Sequence, residues 1–519
     1  MKLSESPRSL APGIRRNTVH MLQTGVWGLT ILVFAIITGT LVAIGQPLPL
    51  LLLMGVLIGI GLMARPVTLL WVVLVGALVI SGLIGLYAPS LEKVRWAVDL
   101  AAAGLGAVAI ISRLTSYKAK NSKKTIRSFA PSILTWAGLF FGTSMLSSLL
   151  NTGLSADSII GLKGYFQVWG ILLAFAWLKL SKDTVDNFAK AIVPLALLQI
   201  PFALHQFLVL VPQRATLAAA RELIVAPDVV VGTFVGSMTG GGGSAILAAL
   251  QIATIAILLA FWRSGFISGM RVTVLSALLM VPLLFNEAKI IVVILPIALL
   301  IVFRDQMLRR PIYFILGASI IAMLLAAIFV IYTKLPGEAT NTTLTEQLSQ
   351  TAAYNFGQKG YGAYVLNRTS VLTYWWEQHS MNDIVQILIG HGPGITNDSG
   401  TSRINLATGR YAGMGIGLTA ISALLWEVGV VGLITILGMF WSAFTAAVKL
   451  SQDARLTHWH RAAFLGLQAG IAIMAISLTH NNFFVFDIGF QALLMLMLGY
   501  TVYWQKNVNL LGDSDVREP

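Results

Sequence analysis

A glycine-rich turn late in the chain carries a histidine in a position suited to chemistry. The turn reads Gly390-His391-Gly392-Pro393-Gly394. Neutral histidine is the commonest general base near pH 7, and the flanking glycines leave the ring with little packing of its own. We therefore expect His391 to act as a catalytic base, with Glu287 as the second candidate. The alternative is a histidine that only shapes the turn.

Cations of the kind that bind a diphosphate recur along the chain. Arginine binds phosphate through two parallel hydrogen bonds, which lysine cannot reproduce. The candidate phosphate-binding cations are Lys163, Arg214, Arg221, Lys289, Arg368, Arg403 and Arg410. Arg214, Arg403 and Arg410 should approach one another, and the last two share a face if residues 403–411 are helical. The alternatives are solvated loop cations, a snorkelling interfacial lysine at 163 and a hairpin at 286–289 that pairs its own charges.

Aromatic and polar side chains in the same regions form a further set of candidate site residues. Residues 371–379 have the pattern of an amphipathic helix, which carries Tyr374, Trp375 and Trp376. His480 lies in a tight hairpin that reads Thr479-His480-Asn481-Asn482. The candidate ligand contacts are Tyr374, Trp375 and His480. An interfacial anchor is the alternative for His480.

Two site classes find no support in the sequence. The chain has no cysteine, which removes disulfides, thiolate metal sites and cysteine nucleophiles. No cluster of His, Asp or Glu has the spacing of metal ligands. We expect neither a metal nor another cofactor.

Composition places these residues in a membrane protein. The 519 residues are 56% hydrophobic and 11% charged, and the mean hydropathy is +0.81, whereas soluble domains carry about 25% charged residues. Many apolar runs match the length that crosses a hydrocarbon core of about 30 Å as a helix. The net charge of +14 lies largely in short loops between spans, where it sets orientation. We therefore expect an all-α polytopic membrane protein with no nucleic-acid partner.

The hydropathy pattern predicts about fourteen transmembrane helices. The predicted spans are 23–44, 48–64, 66–87, 96–112, 129–150, 160–178, 187–210, 245–262, 271–285, 288–303, 311–332, 420–447, 462–480 and 483–503. An even number places both termini on one side. The loops on that side carry clusters of lysine and arginine, as in 113–127, 304–310 and 449–461, so the positive-inside rule makes it cytoplasmic.

The predicted organisation is one membrane domain with one large outward loop. A cytoplasmic tail (1–22) precedes about eleven helices (23–332), and a periplasmic loop (333–417) precedes about three more helices (418–504) and a second cytoplasmic tail (505–519). The candidate site residues all fall in the loops of the non-cytoplasmic side or at the span ends beside them. The sequence thus predicts a basic and aromatic pocket pressed against a membrane.

Several short motifs resemble the superfamily of O-antigen ligases and O-antigen polymerases. The chain re-enters the membrane with Leu424-Leu425-Trp426-Glu427-Val428-Gly429-Val430-Val431-Gly432-Leu433 after the large loop. Further motifs are Gly161-Leu162-Lys163-Gly164-Tyr165, Val231-Gly232-Thr233-Phe234 and Asn286-Glu287-Ala288-Lys289. The resemblance covers residues 130–500.

The resemblance implies a membrane glycosyltransferase of the family C type in a bacterial inner membrane. Such an enzyme takes a glycan from an undecaprenyl diphosphate donor at the periplasmic face and transfers it with inversion, without a metal. The resemblance implies that the candidate cations hold the diphosphate and that Tyr374, Trp375 and His480 contact the glycan. The ligases carry a His-Asn pair just before the re-entry motif, where this chain reads Tyr411-Ala412-Gly413-Met414-Gly415. This departure favours a polymerase of O-antigen, capsule or exopolysaccharide repeat units, with His391 or Arg403 as substitutes.

Two alternative functions stay open. A ligase that transfers the glycan to lipid A core or to protein would use the same donor. A polysaccharide or lipid transporter or flippase belongs to another class, but such proteins place charges at mid-membrane in matched halves, which this sequence lacks. The expected partners are the lipid-linked glycan and membrane lipid, with a chain-length regulator and a flippase as further candidates.

Overall fold

The structure is a computed structural model that describes most of the chain. The described residues are 58–120, 131–151, 156–220, 226–239, 241–286, 288–312, 364–379, 383–397 and 406–514, together with residues 55 and 153 and isolated positions between 315 and 360. The chain divides into one unit of residues 1–66 and a second unit of residues 67–519. The described part of the first unit is a short helical stretch at 58–63. Everything below concerns the second unit.

The described residues form helices and no β-strand. The first half contains α1 (Pro66–Tyr87), α2 (Trp96–Lys120), α3 (Ser132–Asn151), α4 (Ala156–Phe166), α5 (Gly170–Trp177), α6 (Lys182–Lys190), α7 (Ile192–His205) and α8 (Val211–Ala220). The second half contains α9 (Ser244–Arg263), α10 (Gly269–Phe285), α11 (Ile291–Arg309), α12 (Ser370–Gln378), α13 (Ile384–Ile389), α14 (Ala420–Gln452), α15 (His458–His480), α16 (Phe483–Phe486) and α17 (Ile488–Ser514).

Helix length and hydropathy confirm a multi-pass, all-α membrane protein. Among the described residues, seven helices are long and apolar enough to cross a membrane, and an eighth span is counted if α4 and α5, bent by 52°, are one broken span. These coincide with eight of the predicted spans. Helices also occupy the predicted spans 271–285, 288–303 and 483–503. The predicted span 23–44 and much of the spans 48–64 and 311–332 lie outside the described residues, so the number fourteen stays a prediction.

The centre of the bundle is built by α9, α14 and α15, which pack side by side. Of the seven helices long and apolar enough to cross a membrane, α9 is the most deeply buried. Within its apolar segment, 83% of the residues lie inside the protein. Small residues allow close packing, because a Cβ atom added at Gly466 of α15 would lie 2.5 Å from the Cα atom of Ile257 of α9. Such close approach is typical of helices that associate within lipid.

The helix ends that loop charge assigns to the non-cytoplasmic side lie together. The Asn151 side chain donates to the carbonyl oxygen of Gly390, and the Asn286 side chain donates to that of Ser244. The backbone amide of Ala420 donates to a carbonyl oxygen of the 479–482 hairpin. We call this side of the bundle the loop face.

The opposite helix ends also lie together. Arg263 at the end of α9 pairs with Asp305 of α11, and His460 of α15 pairs with Asp186 of α6. These contacts agree with the predicted division of the helix ends between two faces, and the full topology stays a prediction. The assignment of the cytoplasm to one of them stays a prediction.

Candidate active site at a break in helix α14

Helix α14 is broken at Gly429, near its loop-face end. Gly429 has φ 69° and ψ −171°, a conformation that is essentially restricted to glycine. A break leaves nearby carbonyl oxygens without helical partners. The carbonyl oxygen of Trp426 accepts from the amide of His391 at 2.8 Å, and that of Glu427 accepts from the amide of Gly392 at 3.0 Å. The predicted glycine-rich turn thus completes the broken helix.

The glycines of this turn are set by the path of the chain. Gly390, Gly392 and Gly394 have φ values of 79°, 109° and 90°, which other residues rarely adopt. A Cβ atom at Gly390 would also lie 2.4 Å from the backbone of Glu427. The glycines therefore allow the turn to lie against α14. The expectation that they leave the His391 ring with little packing is wrong.

The ring of His391 packs against two other aromatic rings. Its centre lies 5.2 Å from that of His379 and 5.8 Å from that of Trp426. The Nε2 atoms of the two histidines are 3.0 Å apart. Nδ1 of His379 lies 2.7 Å from the carbonyl oxygen of Trp375, at the end of α12. The ring of His391 is half-buried.

These contacts define the proton positions of the neutral pair. A carbonyl oxygen only accepts hydrogen bonds, so Nδ1 of His379 carries a proton and donates it to Trp375. The Nε2 atom of a neutral His379 is then a bare acceptor, and Nε2 of His391 must be the donor. This leaves the lone pair of His391 on Nδ1. Such a bare ring nitrogen is what a general base requires.

Burial favours the neutral form of His391. Burial, with the neighbouring His379 and Arg410, lowers the pKa of His391 to about 4, although the carboxylate of Asp383 acts in the opposite direction. The ring is therefore neutral at pH 7. A neutral ring is able to accept a proton, whereas a charged ring is not.

The histidine pair rests on an aromatic cluster. Trp375, Tyr411 and Trp426 are 4%, 6% and 1% exposed and form one core with residues of α12 and α14. Tyr374 meets Tyr411 edge to face, with ring centres 5.9 Å apart. Trp376 is 63% exposed. The predicted glycan contact Trp375 thus lies in the core, whereas its neighbour Trp376 presents an open ring.

Glu427 is a residue that the sequence analysis did not select as a site residue. Its side chain is fully buried. One carboxylate oxygen accepts from the amide of Gly394 at 2.8 Å, and the other accepts from the amide and hydroxyl of Thr396. The carboxylate therefore holds the far end of the glycine turn, while the backbone of α14 holds its beginning. A charge inside an apolar run is the signal that could have revealed this role.

Two arginines lie on the loop face, Arg214 buried and Arg368 half-buried. Arg214 is 2% exposed and donates to the carbonyl oxygen of Ser237 at 2.7 Å. Arg368 donates to the carbonyl oxygen of His480 at 2.6 Å and to the side-chain oxygen of Asn355 at 2.8 Å. His480 itself is half-buried. Its backbone, rather than its ring, makes this contact.

The carboxylate of Asp228 interacts electrostatically with both arginines. Burial raises the pKa of Asp228 to about 6, although the guanidinium groups of Arg214 and Arg368 act to lower it. The hydroxyl of Ser244 donates to the carboxylate at 3.0 Å. A Cβ atom at Gly242 would lie 2.8 Å from the carbonyl oxygen of Asp228, so the glycine run at 241–243 packs closely against this residue. Asp228 was not foreseen from the sequence.

Lys163 is already paired with a carboxylate. Its Nζ atom lies 2.6 Å from Oδ2 of Asp99 and 4.1 Å from the ring centre of Trp96. Gly161, on the same helix, packs against the turn, because a Cβ atom there would lie 2.1 Å from the carbonyl oxygen of Pro393. Helix α4 therefore supports the turn on one side and holds an ion pair on the other.

The remaining predicted residues are only partly described. Arg410 lies with its guanidinium carbon 5.2 Å from the ring centre of Tyr411. Residues 406–414 form turns rather than the helix considered for 403–411. Lys289 follows a turn in which the Asn286 side chain accepts from the amide of residue 288. Arg221, Glu287 and Arg403 lie outside the described residues.

Other proteins do not identify this site. Within the described part of the chain, no group of three or more His, Asp or Glu side chains is arranged to hold a metal ion. No protein-family model matches the sequence, and no curated protein matches it. The resemblance to the O-antigen ligases and polymerases therefore rests on the short motifs alone.

Proposed function

We propose that this protein is a membrane glycosyltransferase that polymerises undecaprenyl-diphosphate-linked oligosaccharide repeat units at the periplasmic face of a bacterial inner membrane. The observation that carries the proposal is the His379–His391 pair, a neutral base on the same face of the bundle as the buried Arg214 and the half-buried Arg368. Glycosyl transfer from a lipid diphosphate uses these two kinds of group. One accepts the proton of a sugar hydroxyl and the other holds the departing diphosphate.

His391 takes the part of the base. The acceptor hydroxyl oxygen attacks the anomeric carbon of the donor glycan, and its proton passes to Nδ1 of His391. The bond between the anomeric carbon and the diphosphate oxygen breaks, and undecaprenyl diphosphate leaves with the bonding electron pair. The configuration at the anomeric carbon inverts. His379 positions the ring through the hydrogen bond between the two Nε2 atoms.

Arg214 and Arg368 take the central part in binding the diphosphate. Their hydrogen-bond partners on the loop face include carbonyl oxygens. These bonds orient the guanidinium groups, and the carboxylate of Asp228 interacts electrostatically with both of them. The further candidates for this role are Arg221, Lys289, Arg403 and Arg410. The ion pair of Lys163 with Asp99 argues for a supporting role of that lysine.

A ligase is the close alternative, because it would use the same donor and the same two kinds of group. The two activities differ in the acceptor, which is another lipid-linked repeat unit for a polymerase and lipid A core or protein for a ligase. A transporter or flippase would leave the glycan chain unchanged. A chain-length regulator and a flippase are the proposed partners of a polymerase.

Deletion of the gene in its native bacterium separates these functions. A polymerase deletion should remove long glycan chains and accumulate single repeat units on the lipid carrier at the periplasmic face, measured by gel electrophoresis and by mass spectrometry of extracted lipids. Accumulation of long chains on the lipid carrier would instead identify a ligase. Retention of single units on the cytoplasmic leaflet would identify a transporter, and an unchanged glycan profile would refute all three.

Complementation ties the activity to the site. The wild-type gene should restore long chains, whereas His391→Gln should not. His458→Gln is the matched control, because His458 is an exposed histidine on the opposite face. Both variants should reach the wild-type protein level in the membrane.

A further inference from the structure

Helix α13 presents an apolar face that the described part of the chain leaves about half exposed. Ile384, Val385 and Leu388 are 54%, 49% and 42% exposed. Their spacing of one and four residues places them on one side of the helix. Ile387 points the other way and packs against the aromatic cluster below the histidine pair.

The contacts of α13 fix its height relative to a spanning helix. Its last turn packs at the break, since a Cβ atom at Gly429 would lie 2.4 Å from the backbone of Leu388. The carbonyl oxygen of Glu427, beside the break, accepts from Ser147 of α3 at 2.7 Å. Ser147 is four residues, about 6 Å, from the loop-face end of α3. The end of α13 therefore lies within about one helical turn of the end of α3.

Helix α3 shows where the hydrocarbon core ends. Its 20 residues span about 30 Å, the thickness of the hydrocarbon core of a bilayer. Near its loop-face end, Leu146, Leu149 and Leu150 are 44%, 53% and 57% exposed. Leucines exposed on a helix of this length face lipid. The apolar face of α13 thus lies next to a lipid-facing surface and at a similar height.

We propose that α13 is a membrane-contacting helix whose Ile384, Val385 and Leu388 lie among the acyl chains of the outer leaflet. Amphipathic helices of this kind bury their apolar face about 5–10 Å into the boundary between headgroups and acyl chains. The glycine turn with His391 follows directly after α13, so it is held at headgroup height. Where the proposed function is correct, this is also the height of the diphosphate of a membrane-anchored donor.

Site-directed fluorescence labelling tests the proposal. The chain has no cysteine, so single cysteines can be introduced without removing others. An environment-sensitive fluorophore is attached at Val385→Cys, and the protein is placed in phosphatidylethanolamine and phosphatidylglycerol vesicles that contain phosphatidylcholine brominated at carbons 6 and 7. Leu149→Cys on α3 is the lipid-facing control. Glu377→Cys, at an exposed position on α12, is the water-facing control.

Lipid contact at Val385 predicts a clear order of quenching. Quenching by the brominated lipid at 385 should lie within about twofold of that at 149 and exceed that at 377 at least about threefold, because bromine quenches at short range within the acyl region. Iodide in the buffer should show the reverse order. Ile384→Cys provides a second label on the same face if the first variant does not fold.

A label at 385 that behaves like the label at 377 would overturn the proposal. The exposed face would then be covered by water or by a partner protein instead of lipid. The measurement uses no glycan donor, so its outcome is independent of the proposed activity. A lipid-contacting α13 in a protein without polymerase activity would leave this inference standing and refute only the function.

Discussion

Replacement of His379 by alanine should raise the pKa of His391 and shift the acid limit of polymer synthesis to higher pH. Burial is the main cause of the low pKa of His391, and repulsion from His379 when that ring is protonated is the next. Removal of the His379 ring opens the site to water and removes this repulsion. Both changes favour the protonated form of His391, so its pKa should move from about 4 towards the ordinary value of about 6.5.

The size of the effect follows from the two pKa values. At pH 5, a base with a pKa of about 4 is about 90% neutral, whereas one with a pKa of about 6.5 is about 3% neutral. At pH 7.5, both are about 90% neutral or more. The ratio of activity at pH 5 to activity at pH 7.5 should therefore fall by up to about thirtyfold in His379→Ala. This ratio is insensitive to a uniform loss of activity from poorer positioning of His391.

The assay measures initial rates of polymer synthesis from purified lipid-linked repeat units in detergent, between pH 4 and pH 8. The dependence of kcat/KM on pH reports the ionisation of the free enzyme. His458→Ala is the matched control, since it removes an exposed histidine on the opposite face. Nitrogen NMR of histidine-labelled protein gives an independent pKa. The signal of His391 is identified among the seven histidines by its loss in His391→Gln.

Three results would refute this reasoning. An acid limb of the wild type near pH 6.5 would show that His391 is not the neutral base described above. An unchanged limb in His379→Ala would show that His379 does not control its ionisation. Near-normal turnover in His391→Gln, where a loss of at least about a hundredfold is expected for a missing general base, would remove the base role altogether.

Four further substitutions test other parts of the site. Asp228→Asn should raise the unfolding temperature above pH 6 and lower activity. The fold raises the pKa of Asp228 from 3.8 to about 6, so ionisation of this carboxylate above pH 6 costs up to about 3 kcal/mol of folding free energy. This cost is absent below pH 3.8, where the carboxyl group is protonated in both the folded and the unfolded chain. Glu427→Gln should cost about 1–3 kcal/mol of stability, measured by thermal unfolding in detergent, because an amide replaces one of two accepting oxygens in a buried site. Gly429→Ala should lower the yield of folded protein, measured by size-exclusion chromatography, because its φ of 69° strains any residue with a Cβ atom. Arg368→Lys should reduce polymer output at an unchanged protein level, because an ammonium group cannot reproduce the planar donors of a guanidinium group.

The spanning helices could be predicted from the sequence because lipid imposes one simple requirement. Each span satisfies its own backbone hydrogen bonds and shows a run of apolar residues, so its existence is a local property of the chain. The same holds for α12, where the predicted 371–379 agrees with the observed Ser370–Gln378.

The partners of individual charges could not be predicted in this way. Lys163 is paired with Asp99, which is 64 residues earlier in the chain, and His379 meets His391 only because α12 and the glycine turn both pack on Trp426. Such pairs depend on tertiary packing, which the hydropathy pattern of the sequence does not report. The glycine flanks of His391 were visible, but their reason is the close approach to α14 rather than freedom of the ring.

The re-entry motif around Glu427 shows how one short stretch builds the whole candidate site. The ring of Trp426 supports both histidines, the carboxylate of Glu427 holds the turn, and Gly429 frees the carbonyl oxygens that bind the start of that turn. The three roles depend on the break. In an unbroken helix the carbonyl oxygens of Trp426 and Glu427 would bond within the helix, and the start of the turn would have no acceptor on α14. A break in a membrane helix costs backbone hydrogen bonds in lipid, so it persists only where other groups satisfy them. The glycine turn does this for α14, which explains why the base candidate sits at the end of a membrane helix and not in a solvent-exposed loop.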